Sequence, residues 1–181
     1  MNSKDLCLLP YLDKVIESGV SSLKIEGRMK SVHYVESVVK VYREAIDSYY
    51  NGSFQVKSEW LDELDKIAHR PYTSGFFIHD ENGTMIHDSS KAKQSTTFLG
   101  IVRDFDEATN TATVEQRGKL QKGQHIEILQ PQSETFSQIL SDMVDDEGNV
   151  IDSAPHAQQI VKIKLTKPAQ VWSLIRTSDL I

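Results

Sequence analysis

The sequence predicts an α+β fold in which an α-rich first half is followed by an all-β second half. Two observations support this prediction. Between Met29 and Tyr50, apolar residues recur at spacings of three and four, which is the period of an amphipathic helix. From Thr97 onward, short apolar segments alternate with turn-forming residues, with no helical pattern between them. The change of pattern near residue 95 therefore divides the chain into two parts.

The first half contains three predicted helices. The first ends at Gly19, because glycine suits the left-handed conformation at a helix C-terminus. The second and longest is stopped by Asn51-Gly52, and the third has Ser58 as its N-terminal cap. The predicted helices cover residues 5–19, 29–50 and 58–68.

Residues 21–27 (SSLKIEG) predict a strand, with Leu23 and Ile25 on one face. Helix, strand, helix is the order of the closing units of a parallel α/β fold. A parallel strand needs neighbours on both sides, so the chain either assembles with itself or was cut from a longer one. Beyond Pro71 the sequence predicts an extended connection or a small hairpin at Asn82-Gly83, whose flanking histidines, His79 and His87, are interpreted as surface residues.

The second half contains seven segments that predict strands. Turn signals such as EATN, LQKGQ and DDEGN separate them. Short antiparallel strands at this spacing predict a small barrel or sandwich of about 85 residues. The segments are TFLGIVRDFD, TATVEQRG, HIEILQP, FSQILSDMVD, VIDSAP, QIVKIKL and VWSLIRT.

The composition excludes several classes of protein. The net charge of −6 opposes a broad, non-specific surface for nucleic acid or anionic membrane, although a local basic site is compatible with it. No apolar run approaches the length that spans a bilayer. Cys7 is the only cysteine, so neither an intrachain disulfide nor a cysteine-only metal site can form within this chain. The N-terminus lacks the pattern of a secretory signal, and we expect a cytoplasmic protein.

Two stretches of the sequence carry a family resemblance. The stretch NSKDLCLLPYLDKVIESGVSSLKIEGRMKSVHYVESVVKVYREAID and the later HRPYTSGFF, followed by a β-rich tail, resemble the C-terminal portion of the collagenase-like peptidase family. This is peptidase family thirty-two of unknown catalytic type, some of whose members are tRNA-hydroxylation proteins. The resemblance covers nearly the whole chain and is densest at residues 2–48 and 69–77.

The resemblance implies a domain organisation. Residues 1–57 would be the last βα unit of a (β/α)8-type catalytic barrel, whose other units and cysteine-rich signature would precede Met1. Residues 58–96 would be a helix and an extended connector. Residues 97–181 would be an accessory antiparallel β-barrel resembling the second domain of translation elongation factors. The fold class is thus a helix–strand–helix remnant of a barrel followed by a small β-barrel.

The loop after the predicted strand holds Glu26, Gly27, Arg28 and Lys30. In a barrel of this type the carboxyl ends of the strands carry the active site, and the last loops often bind phosphate. Gly27 permits a tight turn, Arg28 can bind a phosphate or carboxylate in a fork, and Lys30 adds a point charge. Spacing alone favours a solvated loop, whereas the resemblance favours a ligand-positioning role. Glu26 either positions Arg28 or acts as an acid or base.

Three further residues each allow a structural and a functional interpretation. Arg70 and Tyr72, in HRPYTSGFF, belong either to a substrate or nucleic-acid loop or, as we favour, to a structural clamp. Cys7 is interpreted as a small buried hydrophobe. The family's tRNA-hydroxylating members are associated with an iron–sulfur cluster, to which Cys7 would supply one ligand in a longer parent protein. No cofactor is predicted for this chain alone, because such a cluster usually requires four thiolates.

Bases of the β-rich half predict at most a modest phosphate-contacting stripe, and ordinary solvated charge is the favoured interpretation. Lys162 and Lys164 alternate on one predicted strand and can share a face. The whole set comprises Arg103, Arg117, Lys119, Lys122, Lys162, Lys164, Lys167 and Arg176.

The functional expectation is an accessory module that binds substrate or RNA, or acts as a scaffold, within a parent enzyme. That parent is either a peptidase or a tRNA uridine hydroxylation protein, with a slight preference for the latter because no peptidase motif is visible. Independent catalysis by this chain is in doubt. Expected partners are the missing barrel and a tRNA or peptide substrate, and no membrane. The alternative is a self-contained interaction domain that homodimerises through its long helix, using Val32, Val35, Val39, Tyr42 and Ile46.

Overall fold

A computed structural model describes residues 2–78, 85–86 and 94–178 of the chain. The chain divides into two compact units, Met1–Ser95 and Thr96–Ile181. The first unit combines helices with short strands, and the second consists of an antiparallel sheet. The predicted turn at Asn82-Gly83 and its flanking histidines lie outside the described residues.

The described residues of the first unit form a 3-10 turn, three α-helices and four two-residue strands. β1 pairs with β4 in antiparallel fashion, whereas β2 and β3 are parallel. These elements are β1 (Asn2–Ser3), β2 (Asp5–Leu6), the 3-10 turn Leu9–Tyr11, α1 (Leu12–Glu17), α2 (Val32–Tyr50), α3 (Ser58–Lys66), β3 (Tyr72–Thr73) and β4 (Met85–Ile86).

The long helix α2 has a defined start and stop. The Ser31 hydroxyl accepts a hydrogen bond from the Tyr34 backbone N–H at 3.2 Å, which satisfies one donor at the helix N-terminus. Gly52, in the left-handed region at φ +71°, follows the C-terminus. The apolar face of α2 packs against α1 and α3 in one core. The most buried residues of that core include Leu9, Leu12, Val41, Ala45, Trp60, Leu64 and Ile67.

The helix predicted at 5–19 is shorter in the structure. Asp5 and Leu6 form a strand instead, because the backbone N–H groups of Asp5 and Cys7 donate to the carbonyls of Pro71 and Thr73. These bonds join segments far apart in the sequence, which a local periodicity does not reveal. The predicted end is confirmed, since Gly19 follows α1 with φ +81°. The predicted cap of α3 is one residue off, because Ser58 is its first residue and Lys57 occupies the cap.

The strand predicted at 21–27 does not form. Residues 22–27 pair with no other strand in the described part of the chain, and Leu23 and Ile25 are 41% and 37% exposed. A strand is stable only when neighbouring backbone groups accept and donate its hydrogen bonds, so alternation of side chains is not sufficient. The helix–strand–helix order of a barrel remnant is therefore not seen in this structure.

The second unit is built on a curled antiparallel sheet of eight strands, as the turn pattern predicts. Their order across the sheet is β11-β10-β13-β6-β5-β14-β8-β9, and β7 pairs separately with β12. The strands are β5 (Phe98–Asp106), β6 (Thr111–Gln116), β7 (Leu120–Gln121), β8 (His125–Leu129), β9 (Phe136–Ile139), β10 (Met143–Asp145), β11 (Val150–Ile151), β12 (Ser153–Ala154), β13 (Ile160–Lys164) and β14 (Leu174–Thr177).

Alternation along the strands creates the second unit's core. On β13, Val161 and Ile163 are buried while Lys162 and Lys164 are exposed, so the two lysines share the outer face. Sixteen buried residues form the main core, among them Val114, Ile126 and Ile128 at 0% exposure. The regular period of two therefore determines which side chains are available for binding.

Candidate functional site

Asp5 is the centre of a polar cluster in the first unit. Its side chain is 14% exposed and accepts hydrogen bonds from the Arg70 backbone N–H and Nε, both at 3.1 Å. Arg70 Nη2 lies 2.9 Å from Asp5 Oδ1, and Lys30 Nζ donates to Asp5 Oδ2 at 3.4 Å. One carboxylate is thus shared by two cations, which leaves a net positive charge in this cluster.

Electrostatics keep Asp5 ionised. Burial alone would raise the pKa of its carboxyl group, but the hydrogen bond from the Arg70 amide and the charges of Lys30 and Arg70 outweigh burial and lower the pKa. The parallel pairing of β2 with β3, which places Asp5 opposite Tyr72, brings the carboxylate to Arg70. Sequence reasoning missed Asp5 because it assigned the residue to a helix.

Lys30 is held in place by the turn that precedes α2. Its backbone N–H donates to the Gly27 carbonyl at 2.9 Å, and its ammonium group also donates to the Ala68 carbonyl at 3.0 Å. The ammonium lies 4.8 Å from the centre of the Tyr34 ring, a favourable cation–π distance. At Gly27 a Cβ atom would lie 3.0 Å from Val35 Cγ2, so glycine allows the turn to approach α2 closely.

Glu26 and Arg28 lie beside this cluster on the exposed loop. Glu26 Oε1 accepts a hydrogen bond from the Arg28 backbone N–H at 3.0 Å, and Glu26 Oε2 lies 3.8 Å from Lys24 Nζ. Glu26 therefore fixes the backbone of Arg28 and does not bind its guanidinium group. In the described part of the chain, no acidic side chain pairs with that guanidinium, which leaves its donors available to an anion.

Tyr72 makes the contacts of a structural clamp. Its hydroxyl donates to the Leu64 carbonyl at 3.0 Å, and its ring stacks on His69 with centroids 4.1 Å apart. Burial raises the pKa of the Tyr72 hydroxyl, so the group stays protonated and keeps donating. His69 Nδ1 lies 2.7 Å from the Arg70 carbonyl, and its Nε2 lies 3.2 Å from Asp65 Oδ1 without hydrogen-bonding geometry.

Cys7 lies in the apolar core of the first unit. It is 9% exposed, and its Sγ is 3.9 Å from the Tyr42 hydroxyl. Burial raises the pKa of the Cys7 thiol, whereas both a nucleophile and a metal ligand must be a thiolate. Among the residues that the structure describes, no three His, Cys, Asp or Glu side chains could together hold a metal ion. The described residues thus do not fit an iron–sulfur cluster, and a ligand role for Cys7 in a longer protein stays a prediction.

Four of the seven predicted site residues lie at or next to the Asp5 cluster, although they are far apart in the sequence. Lys30 and Arg70 meet at Asp5, and Tyr72 lies opposite Asp5 on the paired strand. Cys7 directly follows β2, and its backbone N–H donates to the Thr73 carbonyl. Arg28 and Glu26 form a separate, exposed part of the preceding loop. Chemically, the cluster offers fixed cationic donors around an ionised carboxylate, an arrangement that can position an anionic ligand.

Four of the eight bases considered in the second unit form ion pairs with acidic side chains of the described residues, namely Arg103, Arg117, Lys122 and Arg176. Arg176 is 0% exposed, and its Nε donates to Glu127 at 2.6 Å, so for this residue both the favoured interpretation as solvated charge and the alternative of a phosphate-contacting stripe are wrong. Lys122 lies 3.0 Å from Asp142. Strand pairing explains why Arg176 binds Glu127, because Glu127 of β8 is directly opposite Arg176 on β14.

Sequence models of known families match both units. A model of peptidase family U32 matches residues 1–87, and a model of the peptidase family U32 C-terminal domain matches residues 94–176. The chain belongs to peptidase family U32. The resemblance noted in the sequence is thereby confirmed.

Two relatives of this U32 chain carry different names. The tRNA hydroxylation protein P1 of Bacillus subtilis (strain 168) is 42% identical over 179 residues, which is 97% of this chain and 42% of that protein. A collagenase of Porphyromonas gingivalis is 28% identical over 165 residues, which is 88% of this chain and 45% of that protein. The U32 chain therefore spans less than half the length of both relatives.

A solved structure also resembles the U32 chain. It is the C-terminal domain of a Geobacillus thermoleovorans protein described as a U32 peptidase. It is 35% identical, covers 45% of this chain and 92% of that domain, and has a TM-score of 0.44. In the described part of the present chain, no helix is both long and apolar enough to cross a membrane.

Proposed function

We propose that this U32 chain is an accessory RNA-binding module of a protein that takes part in tRNA hydroxylation, and that it does not catalyse the reaction alone. The observation that carries the proposal is the 42% identity, over 97% of the chain, to the tRNA hydroxylation protein P1 of Bacillus subtilis. Identity to the collagenase of Porphyromonas gingivalis is lower, at 28%. Within a longer parent, residues 21–27 would gain the strand neighbours that they lack here.

The charges of the polar cluster in the first unit favour binding of an anionic substrate. Lys30 and Arg70 are 30% and 33% exposed at the side chain, so both cations are partly accessible to solvent. Arg28 adds an exposed guanidinium group on the adjoining loop. Cationic donors of this kind suit the phosphates of RNA better than the largely uncharged backbone of collagen-like peptides.

A peptidase role for this chain has weaker support. The only cysteine is buried, and its thiol has a raised pKa, so it is a poor nucleophile at neutral pH. Glu26, the predicted acid or base, is 71% exposed at the side chain and bonds a backbone amide. These contacts are those of a group that positions its own loop.

The proposal is tested by measuring binding of unmodified tRNA and of a collagen-like triple-helical peptide over a range of salt concentrations. We expect tRNA to bind and the affinity to fall with salt, because counterions are released from phosphates. Arg28→Gln should weaken tRNA binding and reduce the salt slope by about 1. Lys24→Gln, which removes a charge from the same loop at a more distant, 87% exposed position, is the matched control. Binding of the peptide and not of tRNA would refute the proposal.

A second candidate function is homodimerisation through α2. The exposed stripe of α2 consists of Val32, Val35 and Val39, which are 60%, 38% and 46% exposed. Tyr42 and Ile46, which the sequence also assigned to this face, instead pack against the core of the first unit. With Lys30 and Glu36, the three valines line a shallow depression of about 370 Å³. A contiguous apolar stripe of this kind is typical of an interface.

Sedimentation velocity over a range of protein concentrations tests the dimer. If a second copy of the chain packs on this stripe, wild type should form a dimer. Val35→Lys, which places a charge on the stripe, should disrupt that dimer. Val150→Lys, which changes an exposed valine of the second unit, should leave the dimer intact. A wild-type chain that stays monomeric at every concentration would exclude this second function.

A further inference from the structure

Trp172 is an exposed aromatic residue in an unusual backbone conformation. It is 62% exposed and has φ +75°, a region that bulky residues rarely adopt. Its backbone N–H donates to the Val102 carbonyl at 2.8 Å, and the Val102 N–H donates to the Ser173 carbonyl at 2.9 Å. The sheet therefore holds this turn firmly while the ring faces solvent. Backbone conformations of this kind persist where the surroundings impose them, and they cluster at binding sites.

A guanidinium group covers part of the Trp172 ring. Arg103 Cζ lies 4.7 Å from the ring centroid, within cation–π distance. Arg103 occupies the point where the pairing register between β5 and β6 shifts, since Val102 pairs with Val114 and Asp104 with Thr113. A shift of this kind redirects a side chain, and here it brings Arg103 over the ring.

A second arginine lies beside the first. Arg103 Nε and Arg117 Nη2 contact the two oxygens of the same carboxylate, Glu115, at 2.7 Å and 2.6 Å. Two cations around one anion leave a net positive charge next to the ring. Each guanidinium has five N–H donors, so the contacts with Glu115 use only part of them. The side chains of Arg103 and Arg117 are 29% and 35% exposed, which keeps donors accessible.

We propose that Trp172, with Arg103 and Arg117, forms a platform on which an unpaired RNA base stacks while the arginines bind its phosphate. The Trp172 platform combines the two features of single-strand recognition, an exposed aromatic face and adjacent cationic donors. This inference rests on the proposed RNA-binding function and locates part of it in the second unit. A collagen-like peptide carries no phosphate for the arginines to bind, so the platform fits RNA better.

The test uses the whole chain, with a short single-stranded oligouridylate and unmodified tRNA as probes. A base stacked on Trp172 quenches its fluorescence, and loss of the ring should weaken oligouridylate binding about tenfold or more. Trp172→Phe keeps a stacking face and should keep most of the affinity. Glycine adopts φ +75° without steric cost, so the melting temperature of Trp172→Gly should not be lower than that of wild type. Its RNA binding should nevertheless be lost, because the ring is absent. Tyr50→Ala, which removes another exposed ring, is the matched control.

Quenching of the wild-type fluorescence by oligouridylate is the first result that supports the platform. The second is binding of a labelled oligouridylate, followed by its anisotropy, that is lost in the folded Trp172→Gly variant and retained in Trp172→Phe. If wild type and Trp172→Gly bind tRNA equally and no quenching occurs, the platform is refuted while RNA binding stands. If oligouridylate quenches Trp172 but tRNA does not bind, the platform stands and the tRNA proposal fails. If neither RNA binds, or a collagen-like peptide alone quenches Trp172, the platform is refuted.

Discussion

Replacing Asp5 with asparagine should destabilise the first unit, because this carboxylate holds two cations. The Arg70 backbone N–H, two nitrogens of its guanidinium and the Lys30 ammonium all lie within 3.4 Å of Asp5 oxygens. A hydrogen bond to a charged group contributes about 1.5–3 kcal/mol, and an exposed ion pair about 0–1 kcal/mol. Since both cations are partly exposed and asparagine keeps one acceptor, we expect Asp5→Asn to lower the free energy of unfolding by about 2 kcal/mol at neutral pH.

The effect of Asp5→Asn should depend on pH. The pKa of Asp5 is lower in the folded chain than in the unfolded chain, where it is about 3.9. The stabilisation is therefore fully present above the unfolded pKa and is lost as the pH falls through the lower folded pKa. The difference between wild type and Asp5→Asn should be largest above about pH 5 and should shrink steadily below about pH 4.

Urea denaturation, monitored by the fluorescence of Trp60, measures the difference in free energy of unfolding between wild type and Asp5→Asn. Trp60 is 3% exposed in the core of the first unit, and a Trp172→Phe background leaves it as the only tryptophan. Asp47→Asn is the matched control, because Asp47 pairs with Arg43 on the exposed surface of α2 and should contribute less than about 0.5 kcal/mol. A loss no larger than that of the control, or one that is equal at neutral and acidic pH, would refute the reasoning.

Three other substitutions test the fold. Gly118→Ala would place a Cβ atom 2.4 Å from the Phe98 carbonyl oxygen, so thermal unfolding should show a loss of about 2 kcal/mol or more. Arg176→Met removes the guanidinium that pairs with Glu127 and should lower the free energy of unfolding by about 3–5 kcal/mol, whereas adding Glu127→Met should restore most of the stability in a double-mutant cycle. Ser31→Ala removes the cap of α2 and should lower the urea midpoint by an amount equivalent to about 1 kcal/mol.

For each of these three substitutions, one result would contradict the prediction. A Gly118→Ala variant as stable as wild type would mean that the chain relaxes at this position. A double variant no more stable than Arg176→Met would mean that the unpaired Glu127 carboxylate is not what destabilises the single variant. A Ser31→Ala variant that is less helical by circular dichroism but equally stable would mean that α2 depends on its apolar face and not on its cap.

The sequence by itself determined the elements whose interactions are local or strictly periodic. Helix α2 follows from apolar spacing of three and four and from the stop at Gly52, and both operate within a few residues. The strands of the second unit follow from alternation between turn signals, since a period of two separates core from surface on each strand. Family membership also followed from the sequence, because blocks of residues match in order.

Only the tertiary structure decided which distant groups meet. Asp5 reaches Arg70 because β2 pairs with β3, and residues 21–27 remain unpaired although their alternation predicts a strand. Arg176 lies opposite Glu127 and is buried, and Trp172 lies against Arg103. The physical reason is common to all four: hydrogen bonds between strands and pairs of charges depend on a partner far along the chain, and local periodicity contains no information about that partner.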